Sequence, residues 1–182
     1  WQCYFTFALP HGQMQKVKFG PALISDGMVL QREQSVKVWG TADAGENITI
    51  EFQKKSYHAT ADANGQWSIT LPPLKAGGPF LMQINDIKLN DILVGDVWLC
   101  SGQSNMELPV KRVMDMFSNE ILNYNNEKIR HILIPQKYNF HAPQEEISAT
   151  SWKTLTQKNV MEFSALAYFF AKEMYEKTGI PV

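Results

Sequence analysis

Through the first half of the chain, apolar and polar residues alternate in short runs separated by turn formers. Val36-Lys37-Val38-Trp39 and Ile48-Thr49-Ile50-Glu51-Phe52 alternate residue by residue, as strands with one buried face do. Ala42-Asp43-Ala44-Gly45-Glu46-Asn47 separates them as a turn cluster. The next pattern predicts a hairpin, with residues 56–61 pairing with Gln66-Trp67-Ser68-Ile69-Thr70-Leu71. Its turn is Asp62-Ala63-Asn64-Gly65, where Asn-Gly supplies a left-handed backbone. Pro72-Pro73 ends the second strand, because proline has no N–H to donate. A further turn at Ala76-Gly77-Gly78-Pro79 leads into Phe80-Leu81-Met82-Gln83-Ile84. Short strands with no helical period between them predict a small antiparallel β-sandwich over 16–93.

After residue 93 the pattern changes. Val94-Gly95-Asp96-Val97-Trp98-Leu99-Cys100 is nearly all apolar, as a strand buried on both faces would be. A polar turn follows at Ser101-Gly102-Gln103-Ser104-Asn105. Helical character runs from Val110 to Tyr124, and Ile129 to Pro135 reads as a second buried strand. A polar loop is expected from Gln136 to Asn159. Phe163, Leu166, Ala167, Phe170 and Met174 then share one helical face, predicting core packing rather than a cofactor box, and Gly179 and Pro181 stop that helix. Ile180-Pro181-Val182 reads as the start of a third strand. Strand, turn, helix, strand, helix predicts the first part of an α/β layered domain with a parallel sheet over 94–182. The fold class expected is thus mixed, a β-sandwich followed by the opening of an α/β/α three-layer domain.

Composition narrows the function. Among 182 residues, 17 basic and 18 acidic side chains leave a net charge of −1, and no basic stripe supports nucleic-acid binding. No apolar stretch approaches the roughly 18 residues of a membrane span. Two cysteines, Cys3 and Cys100, give neither a disulfide framework nor metal-ligand spacing, and Cys100 reads as a buried free thiol. Residues 1–15 open on an apolar run around Cys3, expected to be the remnant of an export signal or a short strand.

The chemistry-bearing segment is Ser101-Gly102-Gln103-Ser104-Asn105-Met106-Glu107. A hydroxyl is a poor nucleophile unless a base activates it and the fold presents it. A sharp turn at the carboxyl end of a sheet strand presents it, and open α/β sheets gather ligands at that edge. Gly102 would let the backbone turn tightly, and a helix starting at Ser104 would aim its N–H at a developing oxyanion. By itself a Gly-X-Ser turn marks a helix cap more often than a nucleophile.

The run from Val97 to Glu107 resembles the first motif block of the sialate O-acetylesterases, a branch of the SGNH (GDSL-like) hydrolases. The resemblance extends through Ile24-Ser25-Asp26-Gly27-Met28-Val29-Leu30-Gln31-Arg32, Val38-Trp39-Gly40, Gly65-Gln66-Trp67 and the run from Phe163 to Ala171. It implies that Ser104 is the nucleophile and an oxyanion-hole donor, with Gly102, Gln103 and Asn105 supporting its turn. It also implies a β-sandwich beside an SGNH domain, and a secreted, periplasmic or lysosome-like setting. The substrate implied is an O-acetylated sialic acid, with acetyl xylan or another acetylated sugar as the alternative. No cofactor or metal is implied.

One part of the family pattern is missing. Its catalytic histidine follows an aspartate by two or three residues. The four histidines here, His11, His58, His131 and His141, are preceded at those positions by Leu9 and Ala8, Ser56 and Lys55, Ile129 and Lys128, and Asn139 and Tyr138. The chain therefore reads as the N-terminal part of such an enzyme, inactive or nearly so alone, with a C-terminal segment or a second chain completing the site. The competing reading is a non-catalytic carbohydrate-binding module. Among other candidates, His131 reads as a core or edge histidine, His141 as solvated, Asp96 as a residue of strand geometry and Glu107 as a helix-start carboxylate. Trp39, Trp67 and Trp98 are expected in cores, and Trp152 is the candidate for stacking on a sugar.

Overall fold

The computed structural model describes the backbone of residues 18–19, and residues 23–102, 104–135 and 151–182. The 1–15 leader, Cys3, His11, His141 and Gln103 lie outside the described residues.

Eight strands come first: β1 (Lys18–Phe19), β2 (Val29–Gln31), β3 (Val36–Thr41), β4 (Asn47–Phe52), β5 (Lys55–Thr60), β6 (Gln66–Leu71), β7 (Gly77–Ile84) and β8 (Ile87–Gly95). They form a five-stranded sheet ordered β2-β8-β7-β4-β5 and a three-stranded sheet ordered β1-β3-β6. The alternation sends Val38, Trp67, Ile69 and Leu71 from the smaller sheet, and Ile48, Ile50, Phe52, Met82, Ile84 and Ile92 from the larger, into one shared core. The partly buried Trp39 packs against the same core.

Two details depart from the sequence pattern. β2 pairs with β8 in parallel, so the sandwich is mixed rather than purely antiparallel. The 62–65 turn forms as expected, with Gly65 at φ +74° and Asp62 Oδ1 accepting the N–H groups of Asn64 and Gln66. It does not join a hairpin, however: β5 pairs with β4 and β6 with β3, so the turn carries the chain from one sheet to the other. The hairpin partner of β5 is reached instead through Gln53 and Lys54, both at positive φ.

The second half is built from α1 (Ser104–Glu107), α2 (Met114–Ile121), β9 (Asn126–His131), β10 (Lys153–Leu155) and α3 (Ala165–Thr178). It has its own core, in which Val110, Ile121, Ile129, Leu155, Phe163 and Tyr168 meet. The predicted 110–124 helix is a short 3-10 turn at Val110–Arg112 followed by α2, which is kinked at Phe117. β10 lies in what the sequence pattern left as loop and pairs antiparallel with β9. A parallel connection starts at the chain's last described residue: Val182 N–H donates to Lys128 O at 2.9 Å and Arg130 N–H to Val182 O at 2.8 Å. Strand β9 ends at His131, and Leu133 and Ile134 beyond it are exposed.

Of the predicted stripe only Phe163, just ahead of α3, is fully buried. Ala165 and Tyr168 face the core with Phe169 and Tyr175 beside them, whereas Leu166 and Phe170 are exposed. A helix apolar on both sides can turn either face inward; at its N-cap Ser164 accepts the N–H of Ala167 and bridges to Pro109. Gly179, at φ +67°, ends the helix as the sequence indicates.

Candidate active site

The segment bearing Ser104 is suspended between two anchors. The first is on the sandwich. Arg32 N–H donates to Gly95 O at 2.8 Å, and the Arg32 guanidinium grips Asp96 through Nε–Oδ1 at 2.8 Å and Nη2–Oδ2 at 3.3 Å. Gln31 Oε1 accepts the N–H of Val97 at 2.9 Å, and Asp96 N–H donates to Pro181 O at 2.8 Å. The Asp96 carboxylate is the main reason that the Arg32 guanidinium titrates even higher than usual. The second anchor is at α3: Ala165 N–H donates to Leu108 O and Val110 N–H to Phe163 O.

Between the anchors the backbone is not the expected strand. Regular pairing stops at Gly95, and residues 97–102 run as irregular chain. A strand needs at least one neighbour to pair its N–H and C=O groups, and beyond Val97 no described strand lies alongside. The apolar side chains are accordingly outside. Trp98 is 54% exposed and Leu99 82%, and Cys100 is an exposed free thiol rather than a buried one. Trp98 meets Phe170 of α3 edge-on, with ring centroids 5.1 Å apart.

Ser104 opens α1 and is exposed, with exposed Asn105 after it. Gly102, also exposed, has an ordinary backbone angle. A Cβ there would sit 2.9 Å from Met106 Cγ, so its small size makes room for that side chain rather than for a left-handed turn. Among the described residues no histidine is hydrogen-bonded to Ser104. His58 lies in β5 and contacts Thr49 Oγ1 at 3.1 Å, while His131 ends β9 with its ring 4.6 Å from that of Phe163. Burial, and then the charge of Lys153, hold the His131 imidazole below its ordinary range. Asp96, read as strand geometry, is the carboxylate of the Arg32 ion pair. Trp152, the candidate for sugar stacking, is half-buried. Its indole N–H donates to Leu23 O at 3.0 Å and its ring packs on the sandwich core. No group of three or more metal-ligating side chains occurs among the described residues, and no described helix is long and apolar enough to cross a membrane.

No family model matches the chain. It is 28% identical to the human protein named sialate O-acetylesterase, over an alignment covering 87% of this chain and 34% of that one. The rat sialate O-acetylesterase is 29% identical, with 87% and 33% covered. Among solved structures, a carbohydrate acetylesterase from Xanthomonas citri superposes with a TM-score of 0.86 at 38% identity, over 91% of this chain and 39% of that one. The chain is similar to the sialate O-acetylesterase family through most of its length. It spans about a third of the length of the curated family proteins that it matches. The Arg32–Asp96 pair was not legible as a pair: both residues stood in the sequence pattern, but nothing in it joined two segments 64 residues apart.

Proposed function

We propose that this chain contributes the nucleophile of an SGNH-type serine esterase that removes O-acetyl groups from sugars outside the cytosol. O-acetylated sialic acid is the leading substrate, and acetyl xylan or another acetylated polysaccharide the alternative. Ser104 Oγ attacks the acetyl carbonyl and gives its proton to a base. The tetrahedral oxyanion is held by backbone N–H groups, that of Ser104 included, with Gly102, Gln103 and Asn105 supporting the turn. Collapse expels the sugar oxygen, which takes the proton, and water then hydrolyses the acetyl-serine to acetate. The base and its aspartate come from a segment following Val182 or from a second chain. That same segment would supply strands beside Val97–Cys100.

The observation carrying this reading is the exposed Ser104 at the start of α1, inside a chain so similar to acetylesterases. The chain alone is expected to hydrolyse p-nitrophenyl acetate at no more than about a ten-thousandth of the complete protein's rate, since a serine without its histidine is an ordinary alcohol. In the protein extended beyond Val182, Ser104→Ala should abolish both esterase activity and labelling by a fluorophosphonate. An unchanged rate would overturn the assignment of the nucleophile to Ser104, whereas no esterase activity at all in the extended protein would favour the carbohydrate-binding module.

A further inference from the structure

We infer that Arg32, through Asp96, is a positioning residue for Ser104, so that the sandwich sets the geometry of the nucleophile from outside the site. The inference rests on the esterase reading above. Ten residues, 98–107, separate the sandwich anchor from the α3 anchor, and those of them that are described form no ladder with any strand. With only the contacts of Trp98 and α1 on α3 between them, the position of Ser104 depends strongly on where the two ends are held. At the sandwich end three consecutive residues are fixed from β2 and its flank: Gly95 O and the Asp96 carboxylate by Arg32, and the Val97 N–H by Gln31.

The fork of Arg32 on Asp96 orients the peptide as well as holding it, because two parallel N–H···O bonds fix the carboxylate plane. Both partners are largely shielded, at 26% and 15% side-chain exposure, so water does not readily substitute for either. Gly95 leaves no slack on the other side, since Pro181 O already occupies the space where a side chain would begin. Releasing Asp96 would let the 98–107 segment pivot about its α3 anchor. A displacement near 1 Å at a nucleophile can cost about a hundredfold in rate.

The test is steady-state hydrolysis of an acetyl ester by the protein extended beyond Val182, comparing wild type, Arg32→Met, Asp96→Asn and the swap Arg32→Asp/Asp96→Arg. Ser104→Ala serves as the control. The expected result is a fall in kcat of about tenfold to a hundredfold for Arg32→Met, with KM within about twofold. Asp96→Asn should fall less, and the swap should recover part of the loss. Native-state hydrogen exchange should show faster exchange at the Asp96 and Val97 amides in Arg32→Met, with the β3–β6 amides unchanged. If Arg32→Met fails to fold, Asp96→Asn decides by the same criteria. Folded variants with wild-type kcat, or with kcat lost only in proportion to folded protein, overturn the inference. Activity persisting in Ser104→Ala would instead overturn the assignment of the nucleophile to Ser104 on which the inference rests.

Discussion

Arg130, in β9, reaches out of the second core to donate through Nη1 to the carbonyl of Gly27, in the sandwich, at 2.8 Å. The same guanidinium donates to Asp91 O at 3.0 Å, Asp91 Oδ1 at 2.9 Å and Glu127 O at 3.1 Å. Its side chain is 3% exposed. A buried guanidinium is stable only when its donors are met, and here three backbone carbonyls and a carboxylate meet them. Lys128 Nζ bonds Gly78 O at 2.8 Å beside it. The two halves are thus fastened by cations of β9 on carbonyls of the sandwich.

Arg130→Met should therefore destabilise the chain by about 3 kcal/mol, because it strands carbonyls that water reaches poorly. Asp91→Asn should cost less than about 1 kcal/mol, since the Asp91 side chain is half exposed and the backbone carbonyl remains. Urea denaturation of the two variants checks the difference. Equal costs would mean that the ion pair, not the carbonyls, holds the junction.

Gly95 is closed to a side chain for a different reason. A Cβ on it would lie 2.0 Å from Pro181 O, a backbone atom that has no rotamer to escape into. Gly95→Ala should cost about 2 kcal/mol or more and separate residues 181–182 from Asp96. Gly179→Ala makes the comparison sharp. It has a left-handed backbone but open space around it, and is expected to cost only about 1 kcal/mol.

Leu99 offers the opposite case. At 82% exposure its side chain contributes little to this chain's core, so Leu99→Ser should change stability by less than about 0.5 kcal/mol. Leu71→Ala, in the fully buried sandwich core, should cost about 3 kcal/mol by the same measurement.

These contrasts mark what the amino-acid pattern could and could not convey. Alternation placed Ile48, Ile50 and Phe52 inward, and Asn64-Gly65 marked its turn, because both are local properties of the backbone. Pairing partners are not local. The Gln53-Lys54 turn carries neither glycine nor asparagine yet takes φ of 49° and 62°, so the β4–β5 hairpin was hidden and β5 was assigned to β6. The apolar run 97–100 has the pattern of a strand because apolarity reports a preference for burial, and burial needs a neighbour that the described residues do not provide. Ser104 was legible as a motif; the Arg32 and Gln31 grip on its approach, formed across 64 and 66 residues, was not.

His131 gives the chain a pH dependence of known sign. Its ring lies against Phe163, and Lys153, its register partner on β10, adds a positive charge nearby. Both effects favour the neutral imidazole, burial being the larger, so the folded chain binds a proton here less readily than the unfolded chain. The unfolded state then holds more protons between the folded value and the ordinary one near 6.5, and stability rises with pH across that window. Stability should fall as pH drops from about 7.5 through 6.5 and level off once the folded histidine is itself protonated. His131→Gln should flatten that slope, and Lys153→Met should reduce it by the smaller share. The Glu162 carboxylate, held below its usual range by its 2.6 Å bond to Lys153, acts at lower pH, where that contact is lost as the carboxylate protonates. Denaturation midpoints taken every half unit from pH 7.5 to 5.5 isolate the histidine's effect from that of Glu162, and a slope unchanged in His131→Gln would assign the dependence elsewhere.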